Sequence, residues 1–276
     1  MTGTRFKIAV AMLAVCTNAS AVVIGTTEVP LNGAIADVRS IETNWGNLLA
    51  DSFYWQSAQN GLTPTIGFLN GGTIRTGNIA FPGATPALPA NIDDTFVSNT
   101  FPFGNKVVII EDVNVTTLLQ ALENSVSQVG VPVPGATGRF LQVSGLRFSW
   151  ATGAGAGSRI IDVVLNDGTA LVDDGAIVSN LLLDIATNDF VALNGDFYSM
   201  FPGTFTDSGS TDSQALTNFI TTALGGTVRA GDYPANVNDR IFRDTQLVAV
   251  AVPEPATILL FALGMAGIGW RLRGRR

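Results

Sequence analysis

The chain has 276 residues, a formal net charge of −7 at pH 7, 46% hydrophobic residues, one Cys and no His. Without His a Ser–His–Asp triad is excluded, and an acidic chain of this kind does not offer the clustered positive charge that a nucleic-acid partner needs. The core must form without disulfides, which is feasible at this length.

The first 21 residues are typical of a secretory signal peptide. Arg5 and Lys7 form a basic start, residues 8–15 are apolar, and residues 19–21 form a small-x-small cleavage site. The single Cys16 lies inside this segment, and the bulky Val15 before it argues against a lipoprotein signal. We therefore expect signal peptidase to remove residues 1–21 and the only thiol with them.

The remaining chain predicts a mixture of helices and strands. In chain order the predicted elements are a strand at 22–25, a helix at 46–58, a strand at 66–69 that ends in the turn 70–72, a loop at 81–90, a strand at 106–111, a helix at 116–128, strands at 140–150 and 159–165 around the glycine-rich connector 153–158, an extended run at 177–187, and a helix at 212–222. Strands and helices do not alternate strictly and no repeat recurs, so a doubly wound sheet is disfavoured. We expect one α+β domain over residues 22–250, a mixed β-sheet with packed helices.

The C-terminal segment 252–276 has three parts. Val252-Pro253-Glu254-Pro255 precedes fifteen uncharged residues, and four arginines close the chain. Fifteen residues at 1.5 Å each fall short of a bilayer core of ~30 Å. The segment resembles the PEP-CTERM sorting signal, which implies cleavage by an exosortase and delivery to the surface or extracellular matrix of a Gram-negative bacterium. An ordinary membrane anchor is the alternative. Loss of both ends leaves nine basic residues against 21 acidic ones.

Five motifs in order resemble the C-terminal, substrate-binding domain of the 5'-nucleotidases. They are Glu42–Leu48, Asn70–Arg75, Pro102–Asn105, Phe140–Leu146, and Thr187–Phe190 running on to Gly195-Asp196. The resemblance implies that domain's α+β fold and a nucleotide pocket.

The same resemblance assigns six substrate-binding residues: Arg39, Asn70, Arg75, Phe103, Phe190 and Asp196. It implies that the two Phe rings enclose a base, the two arginines hold the phosphate end, and Asp196 receives the ribose hydroxyls. These residue types suit those roles, since aromatic rings stack on bases, guanidinium groups match phosphate oxygens, and a carboxylate accepts two hydroxyl donors. Taken alone, each has an ordinary structural explanation; Phe103 beside a strand would be expected in the core.

Three positions depart from the family pattern. Thr73 replaces the third glycine of the turn that begins at Asn70, Asn194 replaces a glycine before Gly195, and Thr43 stands where some relatives have cysteine. We expect Thr73 to affect the geometry of the pocket most.

The resemblance places the family's two-metal phosphatase centre in a separate domain rich in His, and its Asp-x-His and Gly-Asn-His-Glu motifs are missing here. We therefore expect no catalytic residues, no metal and no cofactor, and no hydrolysis by this chain alone. The first hypothesis is an exported module that binds a nucleotide or nucleoside. The alternatives are an accessory subunit of a nucleotidase whose metallophosphatase domain is on another chain, and a structural matrix protein with a relic pocket.

Overall fold

The computed structural model describes residues 21–75, 87–129 and 138–247. The strands are β1 Val23–Thr27, β2 Ile66–Asn70, β3 Ala90–Asp93, β4 Lys106–Asn114, β5 Leu141–Ser144, β6 Leu146–Trp150, β7 Ile160–Leu165, β8 Ala170–Asp173, β9 Ala176–Ile177, β10 Leu182–Asn188, β11 Thr206–Thr211, β12 Thr227–Val228 and β13 Ile241–Arg243. The α-helices are α1 Ile35–Val38, α2 Asn44–Gln59, α3 Asp94–Thr100, α4 Val115–Val126, α5 Asp189–Ala192 and α6 Asp212–Asn218. Short 3₁₀ turns at Gly71–Thr73 and Gly195–Phe197 and a π-helical turn at Phe219–Ala223 complete the elements.

The strands form three sheets. The central sheet has the order β11-β4-β10-β2-β5, the second has the order β13-β6-β7-β8-β9, and a small third sheet has the order β12-β1-β3. Each sheet contains one parallel pair, β10 with β2, β13 with β6 and β1 with β12, and the other pairs are antiparallel. The expected α+β class with mixed sheets is therefore confirmed.

The central sheet is buried on both faces. Along β4, Val107 and Ile109 pack into the core that contains α2 and α6, whereas Val108 and Ile110 pack into the core that contains α4 and the second sheet. Successive side chains of a strand point to opposite faces, so an unbroken apolar run is what a doubly covered strand requires.

Helix α2 begins at a capped end and crosses the central sheet. The Thr43 hydroxyl accepts the Gly46 N–H at 2.9 Å, so the residue that replaces a cysteine of some relatives serves here as the N-cap. A Cβ at Gly46 would overlap the Gln142 side chain, which explains the glycine inside the helix. The helix is thereby held tightly against β5.

Most predicted elements are present, with changes at their ends. The predicted strand 140–150 is two strands separated by Gly145 at φ +79°, and the run 177–187 is interrupted between β9 and β10. The predicted loop 81–90 was wrong at its end, because Ala90 begins β3 and pairs with β1. Residues 81–86 of that loop, and the sorting segments at 1–20 and 252–276, lie outside the described residues. None of the described helices is long and apolar enough to cross a membrane.

Candidate functional site

Two parallel strands of the central sheet bring the site together at one edge. Strand β2 ends at Asn70, its parallel neighbour β10 ends at Asn188, and the carboxyl ends of parallel strands lie on the same side. The antiparallel neighbours β4 and β5 begin at this edge, because Val107 pairs with Asn188 and Leu141 pairs with Asn70. The segments that follow β2 and β10 carry Arg75, Phe190 and Asp196, the turn before β4 carries Phe103, and Arg39 follows helix α1.

A buried network of polar side chains holds Asn70. Its side-chain oxygen accepts the Thr73 hydroxyl at 2.8 Å and the Asn188 amide at 3.1 Å, while its own amide donates to Asp196 Oδ2 at 2.5 Å. Asn70 and Asn188 are both buried. Because all these groups are paired, the network fixes the direction of the Asp196 carboxylate. Thr73 contributes a hydrogen bond that the glycine in the family's turn would lack.

Two glycines admit the Asp196 carboxylate to this network. A Cβ on Gly72 would lie 3.0 Å from Asp196 Oδ2, and a Cβ on Gly138 would lie 2.7 Å from the same oxygen. Side chains at either position would push the carboxylate away. The close approach of three backbone segments therefore depends on glycine at both places.

Arg39 follows the short helix α1 and lies close to Arg75 and Asp196. The Gln142 amide donates to the carbonyls of Val38 and Ile41, at 3.1 and 2.8 Å, which fixes the backbone on both sides of Arg39. Burial lowers the pKa of Arg39, repulsion by Arg75 lowers it further, and Asp196 opposes both effects. The charges of Arg75 and Asp196 thus both act on the Arg39 guanidinium, and two positive groups against one negative group leave a net positive charge suited to an anion.

Phe103 is exposed, so the simple core interpretation of this residue is wrong. Its side chain is 57% exposed in the turn before β4. The Arg75 guanidinium lies over the ring, with Cζ 4.9 Å from the centroid, and the Arg75 backbone N–H donates to the Thr100 carbonyl at 3.1 Å. Arg75 and Phe103 therefore form a cation–π pair at the edge of the sheet.

Phe190 lies in the first turn of α5 and is 43% exposed. The Asn188 side chain caps this helix by accepting the Val191 N–H at 2.9 Å. A Cβ on Gly195 would lie 2.5–2.6 Å from three carbons of the Phe190 ring, so the ring packs directly on that glycine. The Lys106 N–H donates to the neighbouring Asp189 carboxylate at 3.2 Å, which ties the start of β4 to the start of α5.

Three residues that the sequence did not predict also contribute. Asn188 belongs to the network around Asn70, and its position inside the motif 187–190 was the only signal for it. Arg139 lies over the ring of Phe197, with Cζ 4.5 Å from the centroid. Phe197 and its neighbour Asp196 have φ values of +67° and +49°, which no sequence pattern indicated.

Two further pockets are partly open, and each contains charged groups that already have partners. One, of about 280 Å³, is lined by the ion pair of Asp51 with Arg240, whose nitrogen and oxygen are 2.7 Å apart. The other, of about 230 Å³, is bordered by Glu42, which accepts hydrogen bonds from the backbone of residues 239–241. We assign the candidate site to the open edge around Asp196, because the hydrogen-bond network of Asn70 and the charges that act on Arg39 meet there. In the described parts of the chain no three His, Cys, Asp or Glu residues group as metal ligands.

A model of the 5'-nucleotidase C-terminal domain matches residues 23–203 of this chain. The chain belongs to this family. A model of the PEP-CTERM protein-sorting motif matches residues 251–276. Among curated proteins, a 5'-nucleotidase of Diplobatis ommata is 31% identical over 72% of this chain and 34% of its own length. A trifunctional nucleotide phosphoesterase of Bacillus subtilis is 32% identical over 64% of this chain and 11% of its own length.

The fold is similar to solved structures of whole nucleotidases. A 5'-nucleotidase precursor from Thermus thermophilus matches with a TM-score of 0.65 and 30% identity, over 82% of this chain and 40% of the other. An NAD nucleotidase from Haemophilus influenzae matches with a TM-score of 0.60 at 18% identity, over 81% of this chain and 38% of the other, and shows the fold alone. The chain thus spans about a third of the first of these curated relatives and about two fifths of the structures it matches.

Proposed function

We propose that this protein is an exported module that binds a nucleotide or nucleoside at the edge around Asp196. The observation that carries the proposal is the Asp196 carboxylate, which the buried Asn70 holds at 2.5 Å and whose negative charge, with the positive charge of Arg75, acts on the Arg39 guanidinium. Family membership supports the proposal, because the relatives are named as nucleotidases.

Each part of a nucleotide has a suitable partner at this edge. Phe103 and Phe190 are apolar rings that remain half exposed beside polar groups, and an aromatic contact with a base contributes ~0.5–1.5 kcal/mol beyond area burial. Arg39 and Arg75 supply the planar donors that phosphate oxygens accept. The Asp196 carboxylate retains acceptor capacity for ribose hydroxyls, since the Asn70 amide uses only part of it.

The same residues do not supply a hydrolytic mechanism. The chain contains no His, and its single Cys lies in the expected signal peptide. We therefore propose that the protein binds without hydrolysing. The export signals at both ends agree with a role outside the cytoplasm, and the intact mass of protein recovered from its host tests this. A mass that retains both ends contradicts export with processing.

Calorimetry with AMP and adenosine tests the binding function. Phe190→Ala should weaken both ligands, because both carry the base, whereas Leu193→Ala, an exposed apolar residue just after the same helix, should change neither. Arg75→Ala should weaken AMP by ~1.5–3 kcal/mol and leave adenosine nearly unchanged, since a charge-assisted hydrogen bond to phosphate is lost.

Lys106→Ala is the matched control for Arg75→Ala. Lys106 is the first residue of β4, and its exposed side chain is paired with Asp207. The substitution removes one positive charge, as Arg75→Ala does. A change confined to Arg75→Ala identifies a local phosphate contact, whereas an equal change in Lys106→Ala identifies only the general charge. Absence of binding to any nucleoside or nucleotide at millimolar concentration by the unmodified protein overturns the proposal in favour of a matrix protein with a relic pocket.

A second candidate function is an accessory subunit of a nucleotidase. The relatives are named as nucleotidases, and this chain covers less than half of the length of each of these three. These two facts favour the second candidate. Addition of the protein to a separate metallophosphatase chain from the same host should then raise release of phosphate from AMP. An unchanged rate rejects this candidate without affecting the binding function.

A further inference from the structure

The residue that follows Asp196 is an aromatic side chain held in an unusual position. Phe197 is 72% exposed, more than any other large apolar residue in the described ranges. Its φ of +67° lies in the left-handed region, which a bulky side chain rarely adopts. Such conformations persist only where the surroundings impose them, and they concentrate at binding sites.

One face of the Phe197 ring is already covered. The Arg139 guanidinium lies 4.5 Å from the ring centroid, and it is itself held by the side-chain oxygens of Asn124 at 3.3 Å and Ser127 at 3.0 Å. Because the ring is 72% exposed, its opposite face is free. The pair therefore presents a flat apolar surface backed by a fixed positive charge.

The backbone around Phe197 is held by contacts that do not involve its ring. The Asn124 amide donates to the Asp196 carbonyl at 3.1 Å, the Tyr198 hydroxyl donates to the Arg139 carbonyl, and the Tyr198 N–H donates to the Gly195 carbonyl at 3.1 Å. Tyr198 is fully buried. The ring is thus positioned before any ligand arrives, which reduces the entropy lost on binding.

This aromatic surface is adjacent to the nucleoside position. The Phe190 ring packs on Gly195. Phe197 follows Gly195 by two residues, so the Cα atoms of Gly195 and Phe197 are at most ~7 Å apart. Phe197 directly follows Asp196 in the chain, so an extended ligand held at Asp196 needs to reach only one residue further to contact the Phe197 ring. A single nucleoside has one base, which Phe190 already accommodates, so the second aromatic surface suits a second ring system.

We propose that Phe197 is a specificity-determining residue that stacks the second base of a dinucleotide, two nucleosides joined through a pyrophosphate. The inference rests on the proposed nucleotide-binding function and names its ligand class. One nucleoside contacts Phe190 and Asp196, the pyrophosphate lies among the arginines around Asp196, and the second base covers the free face of Phe197. Arg139 is a positioning residue for that ring.

Calorimetry with diadenosine diphosphate and ADP-ribose tests this assignment. The two ligands share one adenosine, the pyrophosphate and the second ribose, and differ in the second base. The unmodified protein should bind diadenosine diphosphate about tenfold more tightly than ADP-ribose, a typical contribution of one stacked base. Phe197→Gly suits the left-handed backbone, so the fold should be retained, and it should abolish the preference while leaving the affinity for ADP-ribose unchanged. Phe197→Tyr keeps the ring and should keep the preference.

The outcomes separate this proposal from the broader one. If the unmodified protein binds ADP-ribose and AMP but shows no preference for diadenosine diphosphate, Phe197 has no such role and the nucleotide-binding function stands. If Phe197→Gly retains the preference, or weakens both ligands equally, the assignment is also overturned. If the unmodified protein binds none of the three ligands, both proposals fail.

Discussion

The buried carboxyl of Glu42 should make the protein less stable at pH 8 than at pH 5. This side chain joins the segment before α2 to the start of β13. Its Oε2 accepts the backbone N–H groups of Asp239, Arg240 and Ile241 at 3.2, 3.0 and 2.9 Å, and its Oε1 accepts the Asn47 amide at 2.7 Å. Titration of this one group therefore bears on the anchoring of the C-terminal strand.

The loss of stability at higher pH follows from the upward shift of the Glu42 pKa. Burial first, and then the hydrogen bond with the Asp239 side chain, raise the pKa of Glu42 from 4.5 to about 7. The folded state thus holds the proton more tightly than the unfolded state, so this stabilisation is complete below pH ~4.5 and is lost as the pH rises through ~7. With these values the loss between pH 5 and pH 8 is about 2–3 kcal/mol. The chain has no His to titrate in this interval.

Glu42→Gln isolates the contribution of this carboxyl. The Gln oxygen can accept the N–H groups of residues 239–241. Asn47 Oδ1 is buried without a partner. Once the Asn47 amide rotates, the Gln amide can donate to this oxygen. We expect the free energy of unfolding of the variant to fall by about 2–3 kcal/mol less than that of the unmodified protein between pH 5 and pH 8.

Urea unfolding followed by Trp fluorescence measures this difference, since Trp45 is fully buried beside the same helix start. Asp212→Asn is the control. Burial raises the pKa of Asp212 to about 7 as well. Asp212→Asn should therefore remove the Asp212 contribution to the pH dependence of the free energy of unfolding and leave the Glu42 contribution unchanged. Parallel stability curves for Glu42→Gln and the unmodified protein, or a gain in stability towards pH 8, would refute the reasoning.

Three further outcomes are expected. Gly195→Ala should displace the Phe190 ring, because the added Cβ would lie 2.5–2.6 Å from it, and should weaken adenosine binding in calorimetry. Gly203→Ala should leave adenosine binding unchanged, because its added Cβ meets no atom within 4 Å. Arg240→Met should lower the free energy of unfolding by ~3–5 kcal/mol, because the largely buried Asp51 carboxylate loses its cation and keeps only the Tyr233 hydroxyl as a partner, and Asp51→Leu added to it should recover part of that loss. The purified protein should release no phosphate from AMP with Mn²⁺, Zn²⁺ or Mg²⁺, and turnover that survives removal of contaminants would contradict this.

The sequence predicted the elements that have their own apolar pattern. Helices α2 and α4 carry large apolar residues at helical spacing, and strand β4 begins with an unbroken apolar run, so both patterns were visible. Strand β11 was missed because its sequence, Thr206–Thr211, contains no large apolar residue. It is a strand because it pairs with the edge of β4, a tertiary contact that overrides local preference.

The site could be predicted only where motifs matched residue by residue. The resemblance selected Asn70, but the role of Asn188 arises from the parallel pairing of β2 with β10, which brings together residues far apart in the chain. Likewise, Phe197 in the sequence is an ordinary apolar residue, and its exposure depends on a left-handed backbone. The pairing of distant strands and the local backbone conformation could therefore not be predicted from the sequence pattern.

The energetics of this edge favour a binding role over a relic pocket. Residues Asn194, Asp196 and Phe197 all have positive φ, and a bulky residue in that region costs of order 1–3 kcal/mol. Glycine at position 197 would remove that cost. A matrix protein would gain stability from that change. We therefore propose that the strained conformation of Phe197 serves a ligand that contacts Asp196 and its neighbours, since backbone strain concentrates at binding sites.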